Sequence, residues 1–91
     1  MGEVSRKVEG GKLVKIRVDT DNGDGVTILG DFFMHPEDRV EGLEKVVLEK
    51  VDSDVDEIEE AVRGYISEED VELVGISSRD IAEVVVEARA S

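Results

Sequence analysis

The sequence predicts an α+β domain: a three-stranded antiparallel meander followed by three or more helices packed on one of its faces. Three observations lead there. Aliphatic residues alternate with polar ones through the first third of the chain, and glycine-rich turn sequences interrupt that alternation twice. From Pro36 onward the apolar residues recur at three- and four-residue intervals instead.

Val4, Arg6 and Val8 alternate with Ser5 and Lys7, as in a short strand. Gly10-Gly11 then reads as a two-residue hairpin loop, because both positions tolerate positive φ. From Leu13 to Asp19 a second strand places Val14, Ile16 and Val18 on one face and Leu13, Lys15 and Arg17 on the other. Asp21-Asn22-Gly23-Asp24-Gly25 is dense in turn formers, and Val26 to Phe33 follows as a third strand. Gly30 within it marks a bulge or a close backbone approach.

Pro36 suits the first position of a helix, where its missing N–H costs nothing, and Glu37 and Asp38 complement the positive end of the dipole. Val40, Leu43, Val47 and Val51 share the apolar stripe, with Val46 and Leu48 flanking it. Gly42 costs about 1 kcal/mol against alanine in such a helix, which points to close packing there. Asp54 and Glu57 form a capping pattern ahead of Val55, Ile58 and Val62, and that helix is expected to end near Gly64. Ser67-Glu68-Glu69-Asp70 suggests a further short turn. Ser77 and Asp80 open a last helix whose Ile81, Val84, Val85 and Ala88 share a face.

Ninety-one residues without repeat, linker or shift of composition are expected to form one domain spanning 1–91. Eleven basic against 24 acidic residues give a net charge of −13, which disfavours nucleic acid, whose affinity depends on lysine and arginine displacing counterions. The charge is uneven. Residues 1–18 hold five basic side chains (Arg6, Lys7, Lys12, Lys15, Arg17) against Glu3 and Glu9, a basic end on an acidic body. Cysteine is absent, which excludes disulfides, thiolate metal sites and cysteine nucleophiles. With no basic-then-apolar leader and no run near the roughly 18 apolar residues of a membrane span, the expectation is a cytoplasmic protein without membrane contact. Lack of glutamine, a single Asn22 and 38% charged residues suit a thermophile's surface.

Few motifs carry chemistry. Gly10-Gly11-Lys12 is not a P-loop, because Arg6 stands where the first glycine belongs and Leu13 replaces the hydroxyl residue. Lys12, projected from a tight turn, either reaches phosphate oxygens in a site shared with another chain or is a solvated hairpin lysine. Asp19 to Gly25 resembles a calcium loop, but in the glycine register Thr20 takes the first ligand position. Asp52 to Asp56 fails likewise, with Glu57 in the glycine's place. His35 has no second histidine or cysteine to complete a metal site, so no metal is expected and the residue reads as flanking a helix start. No acid–base carboxylate pair or G-x-S-x-G elbow can be nominated. Phe32 and Phe33 point to opposite faces of a regular strand, which leaves one for a partner beside Met34, or both fill the core after a bulge. Phe32, Phe33, Met34, Lys15 and Arg17 are the candidate interface.

On these residues the chain resembles the small accessory domain of lipoate-protein ligase, in the version that archaea encode as a separate polypeptide. The carriers are Lys7-Val8-Glu9-Gly10-Gly11-Lys12-Leu13-Val14 and Gly30-Asp31-Phe32-Phe33-Met34-His35-Pro36-Glu37-Asp38, with the helical tail through Gly75 and Ile81. The likeness runs nearly end to end. Relatives tend to have proline before the two glycines, where this chain has Glu9, and the turn is looser for it.

The resemblance implies a heterodimer with a catalytic subunit that binds ATP, Mg and lipoate and forms lipoyl-adenylate for protein lipoylation. In that subunit the site is built around Arg-Arg-x-x-Gly-Gly-Gly-x-Val-x-His-Asp, which has no counterpart here, so this chain alone is expected to be inactive. Gly10, Gly11 and Lys12 would contribute to phosphate contacts in the shared cleft. A more distant likeness reaches iron–sulfur scaffold proteins, whose chemistry needs the cysteine this chain lacks. Two alternatives remain: a non-catalytic module that docks its acidic helices on a different enzyme, and a free-standing binder of a small ligand.

Overall fold

The first three strands bury one face, and the helices cover that face. The structure, a computed structural model, describes residues 2–7, 12–19 and 25–90. Strands β1 (Gly2–Lys7), β2 (Leu13–Asp19) and β3 (Gly25–Gly30) form an antiparallel sheet in that order. The alternation along β2 buries Val14, Ile16 and Val18, and the register sets Val4 and Ile28 beside Ile16 on the same face. Lys7 pairs with Leu13, a register centred on position 10. A two-residue loop at Gly10-Gly11 would centre it between the glycines; that loop, like the Asp21–Asp24 turn, lies outside the described residues.

Helix α1 (Val40–Glu49) packs on β3 and helix α3 (Ser78–Ala90) on β1 and β2, while α2 (Val55–Glu68) packs against both helices. Leu43, Val47, Ile58, Val62, Ile81, Val84 and Val85 meet the sheet residues in one aliphatic core. The predicted α+β architecture is the one observed. Both caps form as their residue types dictate. Asp54 Oδ1 accepts from the Glu57 N–H at 2.9 Å, and Ser77 and Asp80 exchange reciprocal bonds of 3.1 Å at the start of α3.

Four local expectations are corrected. The third strand stops at Gly30 and does not run to Phe33. A new strand, β4 (Phe33–His35), pairs antiparallel with β5 (Glu72–Val74), an element the periodicity missed because three residues are too few to show a period. Pro36 is extended (φ −69°, ψ 145°) and precedes a single 3₁₀ turn, Glu37–Arg39, so α1 begins at Val40. Gly64 does not end α2. A Cβ there would meet nothing within 4 Å, so only helix propensity is lost while Tyr65 and Ile66 downstream still pack on the core. The stop falls at Asp70, whose φ of +54° turns the chain into β5, and Ser67 and Glu68 belong to the helix.

Gly42 is a contact point, as its position in α1 suggested. A Cβ would lie 2.2 Å from the Tyr65 hydroxyl, which donates to the Arg39 carbonyl at 2.7 Å and ties α2 to the start of α1. Gly42→Ala gains about 1 kcal/mol of helix propensity. It must also push the Tyr65 ring aside, at an overpacking cost of about 1–3 kcal/mol. Net destabilisation in urea unfolding is expected, and an alanine variant at least as stable as the parent would refute the contact. Burial, with Glu69 nearby, raises the Tyr65 phenol above its ordinary value. A raised folded-state value favours the neutral form, so this contribution is intact below pH ~10 and fades as pH climbs past it. Stability measured across that alkaline range should therefore fall more steeply for the parent than for Tyr65→Phe.

Candidate docking site

The hairpin lysine and the aromatic strand end come together through β5. Lys12 stands just before β2, and its stem crosses Gly75, where an added Cβ would lie 2.7 Å from Lys12 Cγ. Gly75, at φ +91°, follows Val74 directly, and Val74 is the register partner of Phe33. Its missing side chain leaves the lysine stem its path.

Within the β4–β5 pair, Met34 and Leu73 face the core while Phe33, Val74, His35 and Glu72 face outward. Phe33 is 52% exposed and Val74 49%. The His35 ring stacks on Phe33 at 6.3 Å with 9° between the planes. A rigid aromatic held by a stacked neighbour beside a branched aliphatic is a small apolar anchor. Leu29, on the open face of the sheet and paired in register with Lys15, is the most exposed large apolar residue described.

The structure separates the sequence candidates. Lys12 is exposed and makes no ion pair with any described residue. Gly10 and Gly11 lie outside the described residues. Phe33 is outward, as the strand alternation allowed. Met34 is buried at 6% exposure, and Phe32 is half-buried against the core, so Met34 offers the free chain little surface and Phe32 only part of its side chain. Lys15 and Arg17 do occupy the open face, but Lys15 lies 3.5 Å from Glu3 and Arg17 3.8 Å from Asp19, which offsets their charge. Val74 and Gly75 were not found from the sequence, because nothing local marks Glu72–Val74 as a strand. The outward position of Leu29 was available in the Val26–Ile28 alternation.

Among the described residues no second centre competes with this end. A shallow groove between β3 and α1 is lined by Val26, Glu41, Glu44, Lys45 and Leu48, and Glu44 Oε2 is engaged by the Ile28 N–H at 2.7 Å. Arg79 bridges Asp56, Glu59 and Glu83 between α2 and α3, and hydrogen bonds to Asp56 and then Glu59 raise its guanidinium above its ordinary value. Among the described residues no group of three His, Cys, Asp or Glu is placed to hold a metal, and no helix is long and apolar enough to cross a membrane. No protein family, curated protein or solved structure matches the chain.

The division between Phe33 and its neighbours can be tested directly. Phe33→Ala should change unfolding free energy by no more than about 0.5 kcal/mol, the range of surface substitutions. Met34→Ala should cost about 2–5 kcal/mol, as for a buried large-to-small change. Equal losses by chemical denaturation would contradict the outward placement of Phe33.

Proposed function

We propose that this chain is a non-catalytic accessory subunit that docks on a lipoate-protein ligase catalytic subunit and is required there for ATP-dependent formation of lipoyl-adenylate. The observation that supports this reading is the passage of the Lys12 stem over Gly75, the residue after Val74, whose register partner is the exposed Phe33. An apolar anchor supplies contact energy, and a mobile cation beside it can reach into a neighbouring cleft. The partner binds ATP, Mg and lipoate. Lys12 would approach the pyrophosphate leaving group, where fixed positive charge stabilises the negative charge that develops as the α-phosphate bond breaks. Lys15 and Arg17, already beside Glu3 and Asp19, take a lesser part.

Docking through the acidic helices on a different enzyme is the weaker reading, because Asp56, Glu59, Glu83 and Glu87 already engage Arg79 and Arg6. The decisive mixture contains the purified catalytic subunit, ATP, Mg and lipoate, with and without this chain. A stable heterodimer and chain-dependent pyrophosphate release are expected. Phe33→Asp should weaken association by about tenfold or more. Lys12→Ala should leave association intact and slow pyrophosphate release by about tenfold or more. A catalytic subunit that works at full rate alone, or that does not bind the chain, refutes the proposal.

A further inference from the structure

The two edges of the three-stranded sheet are finished differently. On β3 the Ile28 N–H points away from β2 and is capped by Glu44 Oε2 at 2.7 Å, so helix α1 seals that edge. The same bond fixes the phase of the whole ladder, because alternate residues of a strand direct their backbone groups to opposite sides. Ile16, opposite Ile28, must direct its N–H and C=O toward β1. The Leu13 carbonyl agrees in phase, since it turns to the β3 side and accepts from the Asp31 N–H at 2.9 Å. Val4 and Arg6 therefore bond to β2 opposite Ile16 and Val14, and the backbone groups of Glu3, Ser5 and Lys7 point outward. β1 is terminal in the sheet, and the side chains of those three residues are exposed.

This open edge is self-complementary. When two β1 strands run antiparallel about a twofold axis at Ser5, Ser5 faces Ser5, and Glu3 of each copy faces Lys7 of the other. All three outward residues then form hydrogen-bonded pairs, and the two charge pairs lie on the same face of the sheet. On the opposite face Val4 meets the stem of Arg6, whose guanidinium is held by Glu83 and Glu87 of α3. Charges on an edge strand ordinarily discourage pairing. Here opposite signs meet in this one register, and Lys7, unlike Lys15, makes no ion pair with any described residue.

We propose that two copies of this chain join edge to edge through β1, with Ser5 on the twofold axis, to make one continuous six-stranded sheet. The surface so used is remote from the sealed β3 edge, from which the Phe33 segment departs. A second copy is favoured over an unrelated strand because such a strand would have to present the same acid–Ser–base spacing in reverse.

Sedimentation equilibrium of the full chain over a wide concentration range tests this. A species of twice the 10.0 kDa chain mass is expected. Ser5→Pro removes an outward N–H without touching the β1–β2 ladder, and should give a monomer with unchanged circular dichroism. Glu3→Lys and Lys7→Glu each set like charges opposite one another and should raise the dimer dissociation constant by about tenfold or more. Mixing those two variants restores both attractive pairs, so a heterodimer should reappear. That mixture keeps the test decisive even where the proline variant does not fold. A parent chain that remains at 10.0 kDa up to millimolar concentration overturns the proposal. So does a dimer that survives Ser5→Pro, or a variant mixture that stays monomeric.

Discussion

At Gly30 the backbone passes so close to β2 that a Cβ would lie 2.3 Å from the Leu13 carbonyl oxygen, at a φ of +154° that other residues rarely adopt. The pairing of β4 with β5 follows from that one approach. It releases the chain from the sheet, and the Asp31 N–H bonds to the same carbonyl as the chain departs. The next residues are then free to pair with β5 instead of β2. That pairing turns Met34 into the core, leaves Phe33 opposite Val74 at the surface, and brings Gly75 under the Lys12 stem. A side chain at position 30 would disturb core, anchor and lysine together.

Charge is organised with equal economy. In a chain of net −13, all six arginines are engaged within the fold. Arg6 and Arg79 hold acidic side chains of α2 and α3, Arg63 pairs with Glu59 along α2, and Arg39 lies near Glu69. Arg17 sits by Asp19, and Arg89 donates to the Val51 and Ser53 carbonyls just past α1. A planar guanidinium can satisfy two or three acceptors at once, which suits it to stitching acidic helices together. The lysines differ. Lys7 and Lys12 make no ion pair with any described residue, so the basic end detected in the sequence survives folding as two outward ammonium groups.

What the sequence revealed depends on how local each signal is. Strand β2 was legible to its end residues because seven positions alternate without interruption, and the caps at Asp54 and Ser77 because one side chain and one N–H three residues on make the bond. Gly64 misled because glycine signals a stop only where positive φ is needed, and that need fell on Asp70. Strand β5 was invisible, since its reason for being a strand is pairing with β4, where Phe33 lies 41 positions upstream of its partner Val74. Met34 was recoverable. Carrying the even-numbered burial of Val26 and Ile28 through the break predicts an inward side chain there, and Met34 is indeed in the core. Of the candidate site, Lys12 and Phe33 could be named separately, whereas their common link to β5, one through Gly75 and the other through Val74, is a tertiary fact.

Sheet edges show why the same residue types act differently at different places. Glu44 reaches over from a helix to occupy the Ile28 N–H, while Glu3 stays on its own strand beside Lys15. An edge capped by a side chain from another element offers a newcomer no free donor at that position; an edge decorated only by its own side chains keeps its backbone available. The β1 edge and the Lys12–Phe33 end draw on different residues and different backbone groups. Occupying one therefore removes nothing that the other requires.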